Sequence, residues 1–467
     1  MSSISKPAAP TENIMGTMKI NKLILQLSVP MMISMLVQAL YNVVDSIFVA
    51  RLSENALTAV SLAFSMQTVM VAVGAGTAVG VNALLSKSLG EKDQDMVNKT
   101  AVNGIFLALC SAAAFMLAAL LLVRPYFAAQ TSDPEIARLG EEYTFIVCFF
   151  SQGFFMTLMM EKLLASTGKT KYTMLTQLAG AVTNIILDPI FIFGYMGEMF
   201  SGVRGAAIAT VIGQFVGAGL GVYLNFKVNH EIHLDFSHFR PHLPTIRRIY
   251  QVGAPSIAMQ CVGSVMTFGL NKILMGFTAT AVAVFGVYFK LQSFIFMPLF
   301  GMNSGIVPII GYNYGARRAD RVVSTIKWGV LYAEIIMGTG FLLFQFAPNT
   351  LLSLFAANET MLAIGVPALR TISWSFLLAG MCIIFGSSFQ ALGQGMNSLY
   401  TSLSRQIVVL LPVAFLLSRF GDVTLVWLAF PIAELASTAM SVLFMRRTYK
   451  NIILPLGNAE APAHRPD

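Results

Sequence analysis

Long runs of apolar residues, separated by short polar segments, repeat along the whole chain. A membrane-spanning helix needs about 20 mostly apolar residues, and twelve runs exceed that length. The predicted spans are 23–48, 56–85, 100–123, 141–165, 172–195, 205–228, 245–275, 280–312, 322–346, 362–390, 397–419 and 423–445. The pattern therefore predicts an all-α integral membrane protein with twelve transmembrane helices. The long runs between 245 and 312 are expected to tilt or bend.

The composition of the 467-residue chain agrees with membrane insertion. Hydrophobic residues make up 56% and charged residues only 11%, whereas a soluble globular chain carries about 25% charged residues. The mean hydropathy is +0.71. These values exclude a water-soluble multidomain enzyme, and they exclude a disordered chain as well.

The positive residues indicate how the spans are oriented. Of the 30 Lys and Arg residues, 22 fall in or beside the tails and alternate connections, 7 fall in the other connections, and Lys290 lies inside a span. Cytoplasmic loops carry the excess of positive charge, so both termini are predicted to be cytoplasmic. The formal charge of +8 is scattered over these loops, which favours membrane orientation over nucleic-acid binding.

The second half of the chain repeats the first with a constant shift of 225 residues. The matched pairs are Pro30 and Pro255, Ala56 and Ala281, Gln67 and Gln292, Gly76 and Gly301, Gly80 and Gly305, Gly90 and Gly315, Asp95 and Asp320, and Gly168 and Gly393. Six spans followed by six give both halves the same orientation, with a substrate path between them.

The repeat divides the chain into two pseudo-symmetric six-helix lobes. The predicted segments are a cytoplasmic N-tail (1–22), an N-lobe (23–228), a cytoplasmic linker (229–244), a C-lobe (245–445) and a cytoplasmic C-tail (446–467).

Five acidic residues fall well inside predicted spans: Asp45, Glu161, Asp188, Glu334 and Glu434. A carboxylate in the hydrocarbon core costs about 2.5–3.5 kcal/mol on insertion scales, so it normally faces a cavity and has a partner. Asn184 and Asp188 are four residues apart and share one helix face, and Pro189 frees a carbonyl beside them. Asp45 and Asp188 are predicted to hold a small monovalent cation or to share a proton. The alternative for Asp188 is a structural role at a helix end.

Other polar residues inside spans are weaker candidates. Substrate contact or proton relay is considered for Gln38, Tyr41, Asn42, Lys290, Glu334 and Glu434, with structural pairing as the alternative. Lys290 is expected to neutralise an acid or to donate hydrogen bonds to carbonyls, and Glu161 is expected to pair with Lys162. No cofactor site is predicted, and the chain's four cysteines are expected to be buried free thiols.

Several stretches resemble the multidrug and toxic compound extrusion (MATE) family of transporters. In the first half they are YNVVDSIFV (41–49), NIILDPIFIF (184–193) and GAAIATV (205–211). In the second half they are GYNYGA (311–316) and SFQALG (388–393). The resemblance covers about residues 20–450, and the first two motifs are fairly specific to bacterial members.

The resemblance implies a V-shaped pair of six-helix lobes that exports organic cations in exchange for inward H⁺ or Na⁺. It implies that Asp45, Asn184, Asp188 and Thr210 form the N-lobe pocket for the coupling ion, with Na⁺ as the one metal considered. Two departures stand out. Ala50-Arg51 replaces a glycine that is common after the first helix, and the seventh span lacks an acidic residue that some branches use in the C-lobe.

We therefore expect a secondary active multidrug antiporter of the bacterial cytoplasmic membrane, and not an enzyme. The expected partners are small organic cations and membrane lipid, without a cofactor, a nucleic acid or an obligate protein partner. One alternative is a flippase of lipid-linked precursors from the same superfamily, and a lipid-translocation assay distinguishes it from an antiporter. The other is a channel or membrane receptor, which cannot perform uphill efflux.

Overall fold

The computed structural model describes residues 13–195, 197, 201–236, 239–355 and 358–458. Within these ranges the regular secondary structure is helical throughout. The helices are α1 (Ile14–Thr17), α2 (Ile20–Ala50), α3 (Glu54–Gly90), α4 (Gln94–Gln130), α5 (Pro134–Phe149), α6 (Gln152–Ser166), α7 (Thr170–Ile192), α8 (Gly202–Val228), α9 (Leu243–Met275), α10 (Ala279–Gly315), α11 (Ala319–Phe346), α12 (Pro348–Ser353), α13 (Glu359–Ser373), α14 (Phe376–Ala391), α15 (Gly395–Leu403), α16 (Leu411–Ser418), α17 (Val423–Val426), α18 (Ala429–Thr448) and α19 (Leu454–Asn458). Two π-helical segments, Ser404–Leu410 and Tyr449–Ile453, continue α15 and α18.

Twelve membrane crossings account for the long helices, as the apolar runs predicted. Ten crossings are apolar helices long enough to span a membrane on their own. The other two are pairs of shorter helices, α5 with α6 and α13 with α14, which are bent by 46° and 50° where they meet. The runs between 245 and 312 form the two continuous helices α9 and α10.

The predicted tails extend partly beyond the described residues. Positions 1–12 and 459–467 lie outside them. Within them, α1 and the first turn of α2 occupy the end of the predicted N-tail. Helical structure also continues past 445 to Asn458.

The repeat is visible in the backbone of the two halves. Lys92 and Arg317 follow α3 and α10 with φ values of 60° and 57°, and they are 225 positions apart. Gly168 and Gly393, the same distance apart, turn with φ values of 83° and 78°. Side chains with a Cβ rarely adopt this left-handed conformation, so the matched pairs indicate the same turn geometry in both halves.

The two halves contact each other through the first two long helices of each half. Helix α2 packs on α10, and α3 packs on α9. Glycines permit this close approach: a Cβ at Gly76 would lie 2.8 Å from the Ile257 amide nitrogen, and one at Gly305 would lie 2.9 Å from the Ser28 amide nitrogen. Small residues let membrane helices approach to backbone contact.

Helices α3 and α10 also touch each other at their last turns. A Cβ at Gly90 would overlap the carbonyl oxygen of Tyr312, and a Cβ at Gly315 would overlap the carbonyl oxygen of Lys87. Lys87 and Tyr312 are themselves equivalent positions of the repeat, so the pseudo-two-fold axis relates the two contacts. They lie on the side of the molecule that carries Asn13 and the connections after α3, α6, α8, α10 and α14, which we call the N-terminal face.

The outer surface of the bundle is apolar. Leu121 and Phe226 each expose 61% of their surface, and Phe268 exposes 66%. An extensive apolar exterior marks a surface that is covered by another apolar phase. Together with the twelve crossings, it establishes a multi-pass membrane protein.

The cysteines are all free, but not all are buried. Cys148 and Cys382 are buried, whereas Cys110 and Cys261 are exposed. The expectation of four buried thiols is therefore wrong for Cys110 and Cys261. An apolar run by itself does not distinguish a lipid-facing position from a packed one.

Candidate functional site

Helices α2 and α7 bring two carboxyl groups together in the first half of the chain. Asp45 lies on α2 and Asp188 on α7, and their side chains are within hydrogen-bonding reach of each other. Asp188 is fully buried, whereas Asp45 is partly exposed. Two carboxylates at this separation repel each other unless they share a proton or bind a cation.

The amide of Asn184 connects this pair to α8. Its Nδ2 atom donates to Asp188 Oδ1 at 3.2 Å and to Thr210 Oγ1 at 3.3 Å. Asn184 and Asp188 are one turn apart on the same helix face, as their spacing predicts. The structure thus places Asp45, Asn184, Asp188 and Thr210 in one group.

Two glycines explain how Thr210 comes within reach of α7. A Cβ at Gly180 would lie 3.0 Å from the Gly213 carbonyl oxygen, and a Cβ at Gly213 would lie 2.7 Å from the Gly180 carbonyl oxygen. The backbones of α7 and α8 are therefore in direct contact at this level. Thr210 precedes Gly213 by three residues and Asn184 follows Gly180 by four, so the two side chains meet one turn from the glycine contact.

Three oxygen atoms of this group are available to a further ligand. Asp45 Oδ1, Asn184 Oδ1 and Asp188 Oδ2 are buried and receive no hydrogen bond from the described part of the chain. Buried polar atoms are nearly always satisfied in native proteins. Carboxylate and amide oxygens are suited to a proton or to a small hard cation, so the arrangement can bind either.

The other predicted positions on α2 share the face of Asp45. Tyr41 lies one turn before Asp45, and its hydroxyl is within hydrogen-bonding reach of Thr210. Gln38 and Asn42 are exposed on the same side of the helix, because residues three, four and seven apart lie on one face. This face therefore continues from the buried acids to an exposed polar surface.

Two further residues belong to the site and were not predicted. Tyr143 on α5 is 3% exposed and lies close enough to Asp45 and Asp188 to interact with them electrostatically. Gln67 on α3 donates from Nε2 to the Tyr143 hydroxyl at 3.2 Å. The one signal in the sequence was the match of Gln67 with Gln292 in the repeat, while Tyr143 carried none.

The second half holds a separate charged cluster. Glu434 on α18 is 5% exposed, and its Oε2 atom lies 3.5 Å from Arg405 Nη1. Arg405 belongs to the π-helical segment Ser404–Leu410. Glu334 on α11 accepts a hydrogen bond from the Met381 amide at 2.8 Å. Glu434 is thus part of an ion pair, while Glu334 is held by a backbone donor.

Lys290 does not neutralise an acid among the described residues, which was one of the two roles expected for it. Its ammonium nitrogen lies 5.9 Å from the centre of the Phe355 ring, and its side chain is exposed. A cation over an aromatic face is stabilised by the ring quadrupole. The sequence did not indicate this contact, because Phe355 is remote in the chain.

Glu161 also differs from expectation. Its carboxylate accepts hydrogen bonds from Gln177 Nε2 at 2.9 Å and from Thr176 Oγ1 at 3.3 Å, and it forms no ion pair with Lys162. Adjacent residues of a helix do not face each other. The neighbouring helix α7 supplies the donors instead.

The acid of α2 has no counterpart in the second half. The position 225 residues after Asp45 is Leu270, which is fully buried. The backbone repeat is therefore not accompanied by a repeat of the acidic site.

Comparison with known proteins identifies relatives over most of the chain. Residues 30–190 and 255–416 each match the MatE family model, and the two matches begin at equivalent positions of the repeat. The multidrug export protein MepA of Staphylococcus saprophyticus is 27% identical over 430 residues, which cover 90% of this chain and 92% of the relative. MepA of Staphylococcus haemolyticus is 26% identical over 409 residues, covering 87% and 89%.

Solved structures agree with the family match. An outward-facing multidrug resistance MATE family transporter of the MOP superfamily superposes with a TM-score of 0.89 at 25% identity, covering 96% of this chain and 99% of that one. A MOP superfamily transporter from Pyrococcus furiosus gives a TM-score of 0.88 at 26% identity, again covering 96% and 99%. The chain therefore belongs to the MatE family of membrane transporters, and its twelve membrane crossings form the two lobes of that family.

Proposed function

We propose that this protein is a secondary active multidrug antiporter, which exports organic, mostly cationic compounds in exchange for H⁺ or Na⁺. The observation that carries the proposal is the pair formed by Asp45 and Asp188, with its unsatisfied buried oxygens inside an apolar bundle. Intramembrane acids that face each other mark ion pathways. The relatives named as multidrug export proteins support the class of substrate.

The arrangement supports a mechanism in which ion binding changes the conformation of α2 and thereby weakens drug binding. The ion arrives at Asp45, the partly exposed member of the pair, and removes the repulsion between the two carboxylates. Helix α2 then moves toward α7, bending near Pro30, where the helix lacks one backbone hydrogen bond. This movement closes the N-lobe cavity and lowers the affinity for the drug.

We assign the protein to a bacterial cytoplasmic membrane, with both termini and the N-terminal face in the cytoplasm. The distribution of Lys and Arg supports this orientation. The proposed lobes are residues 23–228 and 245–445, joined by the linker 229–244. The end of α8 at Val228 and the start of α9 at Leu243 support these boundaries.

Transport by purified protein tests the function directly. Proteoliposomes loaded with ethidium are given either a pH gradient or a Na⁺ gradient, one at a time, and ethidium movement is followed by fluorescence. We expect uphill movement under one of the gradients and none when that gradient is collapsed by an ionophore. Movement that only follows the ethidium gradient would indicate a channel and would overturn the antiporter proposal.

Because Arg405 and Glu434 form an ion pair, we expect the removal of Arg405 alone to cost more stability than the removal of both charges. Arg405→Met leaves Glu434 as a buried, uncompensated carboxylate, which costs about 3–5 kcal/mol. We therefore expect a lower thermal unfolding temperature for R405M, and recovery toward the parent in the double variant R405M/E434Q. The exposed Arg446 provides the control, and Arg446→Met should leave the unfolding temperature unchanged. If R405M/E434Q is no more stable than R405M, the two side chains are not energetically paired.

A further inference from the structure

A short segment ahead of the first span lies across the N-terminal face and touches both lobes. It consists of residues 13–18, which include the single helical turn α1, and we call it the strap. The side chain of Met15 is fully buried in the core of the second lobe. The strap is therefore a packed element of the fold.

The C-lobe holds the strap by its backbone. Asn313 Nδ2 donates to the Met15 carbonyl oxygen at 3.0 Å. Arg321 Nη2 donates to the carbonyl oxygens of Met15 and Met18 at 3.0 and 2.7 Å. Several donors thus fix the strap to α10 and α11, and hydrogen bonds from a charged group are stronger than neutral ones.

The hydrogen bonds to the N-lobe side depend on one side chain. Asn13 Nδ2 donates to the Thr167 carbonyl oxygen, between α6 and α7, at 3.1 Å. The same amide donates to Glu231 Oε1, in the linker, at 3.3 Å. Glu231 also forms an ion pair with Lys169, which belongs to the same connection as Thr167. Apart from the chain's own continuation into α2, a single amide therefore joins a strap anchored on the C-lobe to the connection between α6 and α7 and to the linker.

We propose that the strap is a latch that keeps the N-terminal face closed, and that Asn13 is the point at which it releases. The lobes also meet on this face where α3 crosses α10, through backbone contacts and through the Lys87 ammonium, which lies 5.1 Å from the centre of the Tyr314 ring. Asn13 adds two hydrogen bonds, one of them to a carboxylate, that must break before the lobes separate here. The inference rests on the proposed transport function only in that opening of this face admits the substrate.

The substitution Asn13→Asp removes the latch without removing the helix cap. Asn13 Oδ1 accepts a hydrogen bond from the Met15 amide at 3.0 Å, and a carboxylate oxygen can replace it. The two N–H donors are lost, and a negative charge is placed against Glu231. We expect the ratio of open to closed molecules on this face to rise about tenfold or more. The loss of one hydrogen bond to a charged group is enough to change an equilibrium by that factor.

Distances between spin labels measure the ratio directly. Asp95 and Asp320 are exposed, equivalent positions of the two lobes at this face, and each is replaced by a labelled cysteine in a background without the four native cysteines. Double electron–electron resonance of the protein in lipid nanodiscs should show a longer-distance population that grows in N13D. In N13D/E231Q the glutamine amide can donate to the new carboxylate, so we expect the distribution to return toward that of the parent.

The control for charge and composition is Asn21→Asp. Asn21 lies at the start of α2, and its side-chain oxygen accepts from the neighbouring Lys22 amide at 2.8 Å. N21D should leave the distances unchanged. Asn13→Ser also removes both donors while keeping a capping oxygen, and it should shift the ratio in the same direction if N13D does not fold. The labels are read without drug or ion gradient, so the result is independent of transport. Unchanged distances in N13D or N13S, or an equal shift in N21D, would overturn the latch.

Discussion

Asp45→Asn is expected to abolish uphill efflux while leaving the protein folded and able to bind drug. Asparagine has nearly the same shape as aspartate but carries no charge and does not exchange a proton. The pair of residues 45 and 188 therefore no longer binds the coupling ion. We expect the thermal unfolding temperature to stay the same or to rise, because the variant removes one of two adjacent carboxylates from the bundle. Ethidium efflux from proteoliposomes, fluorescence anisotropy of bound ethidium and thermal unfolding give the three readouts.

Two further variants make this result specific. Asp188→Asn should also lose uphill efflux, since it removes the other member of the pair. Asp95→Asn replaces an acid whose side chain is 72% exposed and pairs with Lys99, and it should transport as the parent does. Gradient-driven efflux that persists in D45N would show that the N-lobe carboxylates do not couple ion entry to export.

Alanine at Gly90 or Gly315 is expected to destabilise the closed N-terminal face. In each case the added Cβ would overlap a carbonyl oxygen of the other lobe, Tyr312 or Lys87. A backbone atom cannot move aside as a side chain does, so α3 and α10 must separate. We expect a cost at the upper end of the about 1–3 kcal/mol that overpacking usually costs. It should appear as a lower unfolding temperature and as a longer distance between labels at Asp95 and Asp320.

Gly286 provides a matched control on the same helix as Gly315. A Cβ there would meet nothing within 4 Å, and Gly→Ala in an exposed helix interior stabilises by up to about 1 kcal/mol. G286A should therefore be neutral or slightly stabilising, whereas G315A is destabilising. Equal unfolding temperatures for G286A and G315A would contradict the close contact between the lobes.

The membrane topology could be predicted from the sequence because each span exceeds the length that the bilayer requires. The bends within the fourth and tenth spans could not. They fall at Phe150-Ser151 and Trp374-Ser375, where neither Pro nor Gly marks a break. The bends are set by packing between helices, which a count of apolar residues does not register.

The candidate site was predictable to the extent that its chemistry is local. Asn184 and Asp188 share a helix face by spacing alone, and a carboxylate at position 45 is conspicuous in an apolar run. Thr210 was indicated by family resemblance and not by any pattern of its own. Tyr143 and Gln67 reach the site from two other helices, so their part in it depends on tertiary packing.

The replacement of Asp45 by Leu270 at the equivalent position of the second lobe has an evolutionary consequence. A duplicated bundle began with two copies of every residue, and here the acid of α2 is present in one copy alone. If the coupling ion binds only in the N-lobe, which carries this acid, the residues that line the cavity in the C-lobe can change as the cell meets new toxins. Such changes leave the coupling of ion entry to export intact. Differences in drug resistance among such exporters should then accumulate in the carboxyl-terminal lobe, and chimaeras that exchange this lobe should exchange their drug profile while keeping their ion.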